Sequence, residues 1–107
     1  MFAMDNDTMP AAAVHPGFIL KEELESRKLS QKKFAEIIAP PYAQLNEVLN
    51  EKRPMSADMA LAVEAALGIK AYVWVKLQAD YTLQIAREDN KTRMRMENIR
   101  KICASLF

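Results

Sequence analysis

The chain has 107 residues, half of them hydrophobic, which fits one domain with one modest core and calls for no second. One cysteine, Cys103, and one histidine, His15, exclude an internal disulfide and supply too few ligands for a metal centre, so a reducing, cytoplasmic setting with no metal or cofactor is expected. A formal net charge of +1 excludes nucleic-acid binding by bulk charge: residues 1–69 hold seven Lys or Arg against ten Asp or Glu, and residues 70–107 hold eight against four.

With only two glycines, Gly17 and Gly68, and frequent Ala, Leu, Glu, Lys and Met, helices joined by short connections are favoured, and the expected fold is all-α. Residues 1–14 lack a helical period and read as a flexible arm; they also lack the basic flank and long apolar run of a signal peptide, and no stretch is long enough to span a membrane. Pro16 suits the first turn of a helix whose Ile19, Leu20 and Leu24, with Phe18, form an apolar face, ending near Lys28. Ser30 is placed to cap a second, short helix with Phe34, Ala35 and Ile38 inward. Pro40 and Pro41 must stop it near Ala39, since two backbone donors are lost in succession.

A third helix is predicted over Tyr42 to Asn50, with Leu45, Val48 and Leu49 inward and Tyr42, Ala43, Gln44, Asn46 and Glu47 outward. Glu51 to Met55 reads as a connection. Ser56 caps a fourth helix running to Leu67, with Met59 or Ala60, Leu61, Val63 and Leu67 available to the core and Gly68 as the left-handed stop. Trp74, Leu77 or Gln78, Tyr81 and Ile85 mark a fifth helix from about Ala71 to Arg87. Residues 88–107 read as an amphipathic helix of open start, because Asp89 and Asn90 suit either a break or the surface of one continuous helix. The organisation is thus an arm over 1–14, a domain over 15–87 and a C-terminal helical extension over 88–107.

Two short amphipathic helices three or four residues apart, the second with a polar outer face, have the spacing of a DNA-reading helix-turn-helix. Residues Leu29-Ser30-Gln31, Phe34-Ala35-Glu36, Leu45, Glu47-Val48-Leu49-Asn50 and Lys52-Arg53 resemble the Xre or Cro family. More narrowly, His15-Pro16-Gly17 with Ile19-Leu20, Asn50-Glu51-Lys52-Arg53, Ser56-Ala57-Asp58, Ala66-Leu67-Gly68 and Trp74 with Leu77-Gln78-Ala79-Asp80-Tyr81 resemble its HigA or VapI antitoxin subfamily over about residues 15–86. The resemblance implies a lambda-repressor-like domain of five to six helices, binding operator DNA as a homodimer and neutralising a toxin of the HigB or RelE type. By position it also implies that Tyr42, Ala43, Asn46 and Glu47 face bases. Ser30, Gln31, Lys32, Gln44, Asn50, Lys52 and Arg53 are implied to meet phosphates. The chain departs from the family at Ala39 and Glu51, where glycine is usual, and at Pro41, where a serine cap is common.

Other readings stand beside this one. Glu47 either accepts from a cytosine amino group or braces a neighbouring Lys or Arg. His15 lies at a helix entrance without a nucleophile or carboxylate pattern around it, which favours a capping or surface role. The Trp74 and Tyr81 stripe reads as core, part of it available to a dimer seam. Arg93, Arg95, Arg100 and Lys101 read as a solvated face, a nucleic-acid patch or a clamp for an acidic partner. A stand-alone repressor, or an interaction module that no longer binds DNA, remain alternatives. No paired acid and base, nucleophile elbow or phosphate loop points to an enzyme.

Overall fold

The computed structural model describes residues 12–38 and 42–106, with the side chains of Tyr42 and Ala43 outside that set. Most of the predicted arm and the Pro40-Pro41 bend lie outside the described residues. Among the described residues six helices follow one another: α1 (Pro16–Ser26), α2 (Gln31–Ile38), α3 (Tyr42–Leu49), α4 (Ala57–Leu67), α5 (Ala71–Glu88) and α6 (Asn90–Leu106). No strand occurs among the described residues.

Side-chain and backbone caps set the helix ends. Lys33 donates its backbone N–H to Ser30 Oγ at 3.0 Å, and Met59 donates likewise to Ser56 Oγ at 3.1 Å, so both predicted caps form. α5 has no cap of its own; Glu64 of α4 supplies it, accepting from the Ala71 N–H at 2.7 Å. Gly68 closes α4 in left-handed geometry, φ 79°, with its N–H on the Glu64 carbonyl. Lys28 and Glu51 adopt the same geometry without being glycine, at φ 56° and 62°. After α1, Leu29 N–H reaches the Leu24 carbonyl and Lys28 N–H the Glu25 carbonyl; after α3, Lys52 N–H reaches Glu47 and Glu51 N–H reaches Val48. Both are the paired bonds of a Schellman stop.

Leu20, Leu24, Phe34, Ala35, Leu45, Val48, Leu49, Met55, Ala60, Val63 and Trp74 form the core. It lies where α1 packs on α3 and α5, α2 on α3 and α4, and α4 on α5. Three predicted core residues are exposed instead: Phe18 at 45%, Leu61 at 59% and Ile85 at 51%. Phe18 precedes Leu20 by two positions, about 200° around the helix, and Leu61 stands equally far from Val63. Ile85 lies one turn past Tyr81 and lines an open groove with His15, Arg53 and Pro54. Met55, assigned to a connection, is buried. The Trp74 indole is buried, and its Nε1 has no hydrogen-bond partner among the described residues.

Asp89 resolves the open question about the C-terminal segment. Its backbone is extended, φ −72° and ψ 125°, and its carboxylate accepts from both the N–H and the hydroxyl of Thr92, at 2.9 and 3.0 Å. Those bonds hold its carboxyl below the usual carboxylate range. Asp89 thus ends one helix and caps the next. α6 packs chiefly on α5 and buries no side chain. The described residues extend 57 × 28 × 20 Å with a radius of gyration of 17.7 Å, against roughly 13 Å for a compact chain of this length, so α6 projects from the body. At the other end of the described residues, Ala13 donates its backbone N–H to Gln84 Oε1 on α5.

Candidate nucleic-acid interface

α3 is the short helix that the other elements hold at the surface. Leu45 and Val48 are completely buried and Leu49 nearly so, while Gln44, Asn46 and Asn50 are exposed and Glu47 is half-buried. The inward line follows from residues spaced at three and four, which leaves a polar line on the opposite side. Three residues, 39–41, separate α2 from α3. The predicted base-facing Tyr42 and Ala43 belong to α3, but their side chains lie outside the described residues.

Gly17 explains how α1 comes so close to α3. A Cβ on Gly17 would lie 1.8 Å from the Val48 carbonyl oxygen and 2.7 Å from its carbon, so any side chain would push α3 outward. His15 secures the same junction. Its Nδ1 accepts the Gly17 N–H at 2.8 Å, capping α1, and its ring meets Tyr81 of α5 edge-on with centroids 4.9 Å apart. The predicted capping role therefore forms in a buried setting, with the residue 3% exposed. Burial lowers the affinity of its imidazole for a proton, while the Glu51 carboxylate and the Arg53 backbone act in the opposite direction.

The segment after α3 is held from three sides. The Schellman stop fixes Glu51 and Lys52, His15 meets the backbone of Arg53, and Gln78 of α5 accepts the Met55 N–H at 2.8 Å. Lys52 and Arg53 are exposed on this segment. Arg53 Nε lies 2.7 Å from Glu47 Oε1, so of the two roles open to Glu47, bracing a neighbouring cation is the one formed. Asn50 Nδ2 bonds Asn46 Oδ1 at 3.3 Å. Ser30 is exposed and engaged as the α2 cap, Lys32 is exposed, and Gln31 is half-buried at the first position of α2. No hydrogen bond or ion pair joins Ser30 or Lys32 to α3 among the described residues.

Gly17 and Gln78 are the positioning residues that sequence reasoning placed without assigning a contact. A glutamine within the inward line of α5 was the readable sign of a buried backbone partner. For Gly17, only the approach of Val48 supplies the reason. No three metal-ligating side chains converge among the described residues, and none of the described helices is long and apolar enough to cross a membrane.

An α2–α3 pair buried along its inner faces and presenting a polar outer helix face, followed by two cations on a fixed segment, defines a helix-turn-helix protein. No family model matches the chain. Virulence-associated protein I of Dichelobacter nodosus is 35% identical over 81 residues, covering 75% of either chain. An addiction module antidote protein of the HigA family from Coxiella burnetii is 32% identical with a TM-score of 0.72, over 81% of this chain and 94% of that one. The Pseudomonas aeruginosa antitoxin HigA, solved with the higBA promoter, is 30% identical with a TM-score of 0.73, over 79% and 94%. The chain belongs to the HigA/VapI family of helix-turn-helix antitoxins.

Proposed function

We propose that this protein is a DNA-binding antitoxin that represses its own operon as a homodimer and neutralises a HigB/RelE-like toxin in the cytoplasm. The observation that carries the DNA-binding part is the division of α3 into a buried face and a polar one, with Lys52 and Arg53 on the fixed segment that follows. The relative solved with promoter DNA supports the same reading. Tyr42, Ala43 and Asn46 are assigned to base edges, and Glu47 to the same base-facing side, where it braces Arg53. Ser30, Gln31, Lys32, Gln44, Asn50, Lys52 and Arg53 are assigned to the backbone of the duplex. Two copies would set their α3 helices roughly 34 Å apart along one face of the DNA. The function has no chemical step, and no enzymatic activity, cofactor or metal is part of it.

Mobility shift of the purified protein on DNA upstream of its own gene tests this. Salt-dependent retention is expected, lost or weakened by about 1–3 kcal/mol in Asn46→Ala and reduced in Gln31→Ala. Unchanged affinity in both variants would overturn the assignment of α3 as the reading helix. One observation favours a second reading, an interaction module without DNA affinity: the Glu47 carboxylate already neutralises Arg53. Co-purification with a small basic partner and no retention of DNA would select it. An adjacent reading frame for a RelE-like protein separates the antitoxin from a stand-alone repressor.

A further inference from the structure

α6 buries none of its 17 residues, yet it carries a regular apolar line. Thr92, Met96, Ile99, Cys103 and Leu106 recur at alternating steps of four and three, which keeps them within an arc of about 80°. The line begins in a groove of about 660 Å³ at the α5–α6 junction, where Thr92 and Met96 lie across from Leu83 and Ala86. It then runs clear of the body: Ile99 is 41% exposed and Leu106 is 69% exposed. A period of three and a half residues is what a second helix requires for knobs-into-holes packing.

The borders of the line are basic. Arg95 stands on one side, Arg93 and Arg100 on the other, and the only carboxylate of α6, Glu97, lies 3.7 Å from Lys101 Nζ. None of the three arginines makes an ion pair among the described residues. These charges choose the occupant. Pairing α6 with a second α6 in parallel sets Arg95 against Arg100, and the antiparallel arrangement sets Arg93 against Arg100. Like charges meet in both. A bilayer surface is matched less well, because the segment offers Met, Ile, Cys and a single Leu over 92–106 and one aromatic, Phe107, directly after it, without a tryptophan or a run of large apolar residues.

We propose that the α6 line and the α5–α6 groove dock an acidic amphipathic helix of another protein, its apolar stripe on Met96, Ile99 and Cys103 and its border carboxylates on Arg93, Arg95 and Arg100. Fluorescence anisotropy of the full chain with two labelled helical peptides tests this. Both peptides run about three heptads with leucine at the four-three positions, one bordered by glutamate and the other by lysine. The glutamate peptide binds, more weakly as salt rises, with at least about tenfold preference over the lysine peptide, and the double variant Arg95→Glu with Arg100→Glu reverses that preference. Equal binding of the two peptides, or binding of neither, overturns the proposal. So does conversion of a dimer to a monomer by Ile99→Asp, which would make the occupant a second copy. Retention on phosphatidylcholine–phosphatidylserine vesicles that Ile99→Asp abolishes, without binding of the glutamate peptide, also overturns it, in favour of a lipid surface. Because Arg95, Ile99 and Arg100 are exposed, each variant is expected to keep the far-ultraviolet circular dichroism of the parent chain.

Discussion

Glu47 and Arg53 hold each other beside the face of α3 that is proposed to meet DNA. Their pair, Nε to Oε1 at 2.7 Å with both side chains about half exposed, contributes only roughly 0.2–1 kcal/mol to folding. In the proposed complex it competes with the DNA for the guanidinium. Glu47→Gln is therefore expected to raise operator affinity and to steepen its salt dependence by about one phosphate contact, read as the slope of log K against log salt. A fall in affinity would instead identify Glu47 as a reader of cytosine. His15 gives the protein a pH dependence of definite sign. Burial depresses its folded-state proton affinity, so the unfolded chain takes up the proton first. Stability is full above about pH 6.5 and declines as pH falls below that value, an effect that His15→Asn should flatten in urea titrations at successive pH values. Protonation also removes the Nδ1 acceptor of the Gly17 N–H.

At the scale of helices, much of the architecture was readable because local chemistry and the tertiary fold agree. Pro16, Ser30, Ser56 and Gly68 mark ends in the sequence and sit at ends in the structure. What escaped reading depends on neighbours distant in the chain. Asp89 is equally suited to breaking a helix or decorating one, and the Thr92 contacts decide between them. Met55 lies in a connection by local pattern, and Gln78 holds its backbone against α5. Of the candidate site, the inward line of α3 was legible from its spacing, whereas the Glu47–Arg53 pair depended on how the chain turns after Glu51. Two substitutions probe these junctions. Gly17→Ala is expected to cost about 1–3 kcal/mol or more by forcing α1 from the Val48 carbonyl, and to weaken DNA binding with it. Lys28→Gly should stabilise the protein by about 1 kcal/mol by relieving a left-handed residue, measured as a shift in the denaturation midpoint.

At the largest scale, the projecting helix adds no fully buried side chain to the core of the compact body. Among the described residues, every fully buried large side chain lies from Pro16 to Trp74, and α6 adds none. A chain ending at Glu88 is expected to keep its stability within about 1 kcal/mol, by chemical denaturation, and to retain operator affinity; a collapse of either would show that α6 supports the body. Within that body, the stretch bearing Lys52 and Arg53 is clamped before any ligand arrives, by the stop of α3, by His15 and by Gln78. Engagement of a duplex then asks little ordering of the main chain, so the entropic toll of association falls mainly on side chains and ions. The corresponding calorimetric signature is a heat-capacity change to which the ordering of that stretch adds nothing beyond the area of contact.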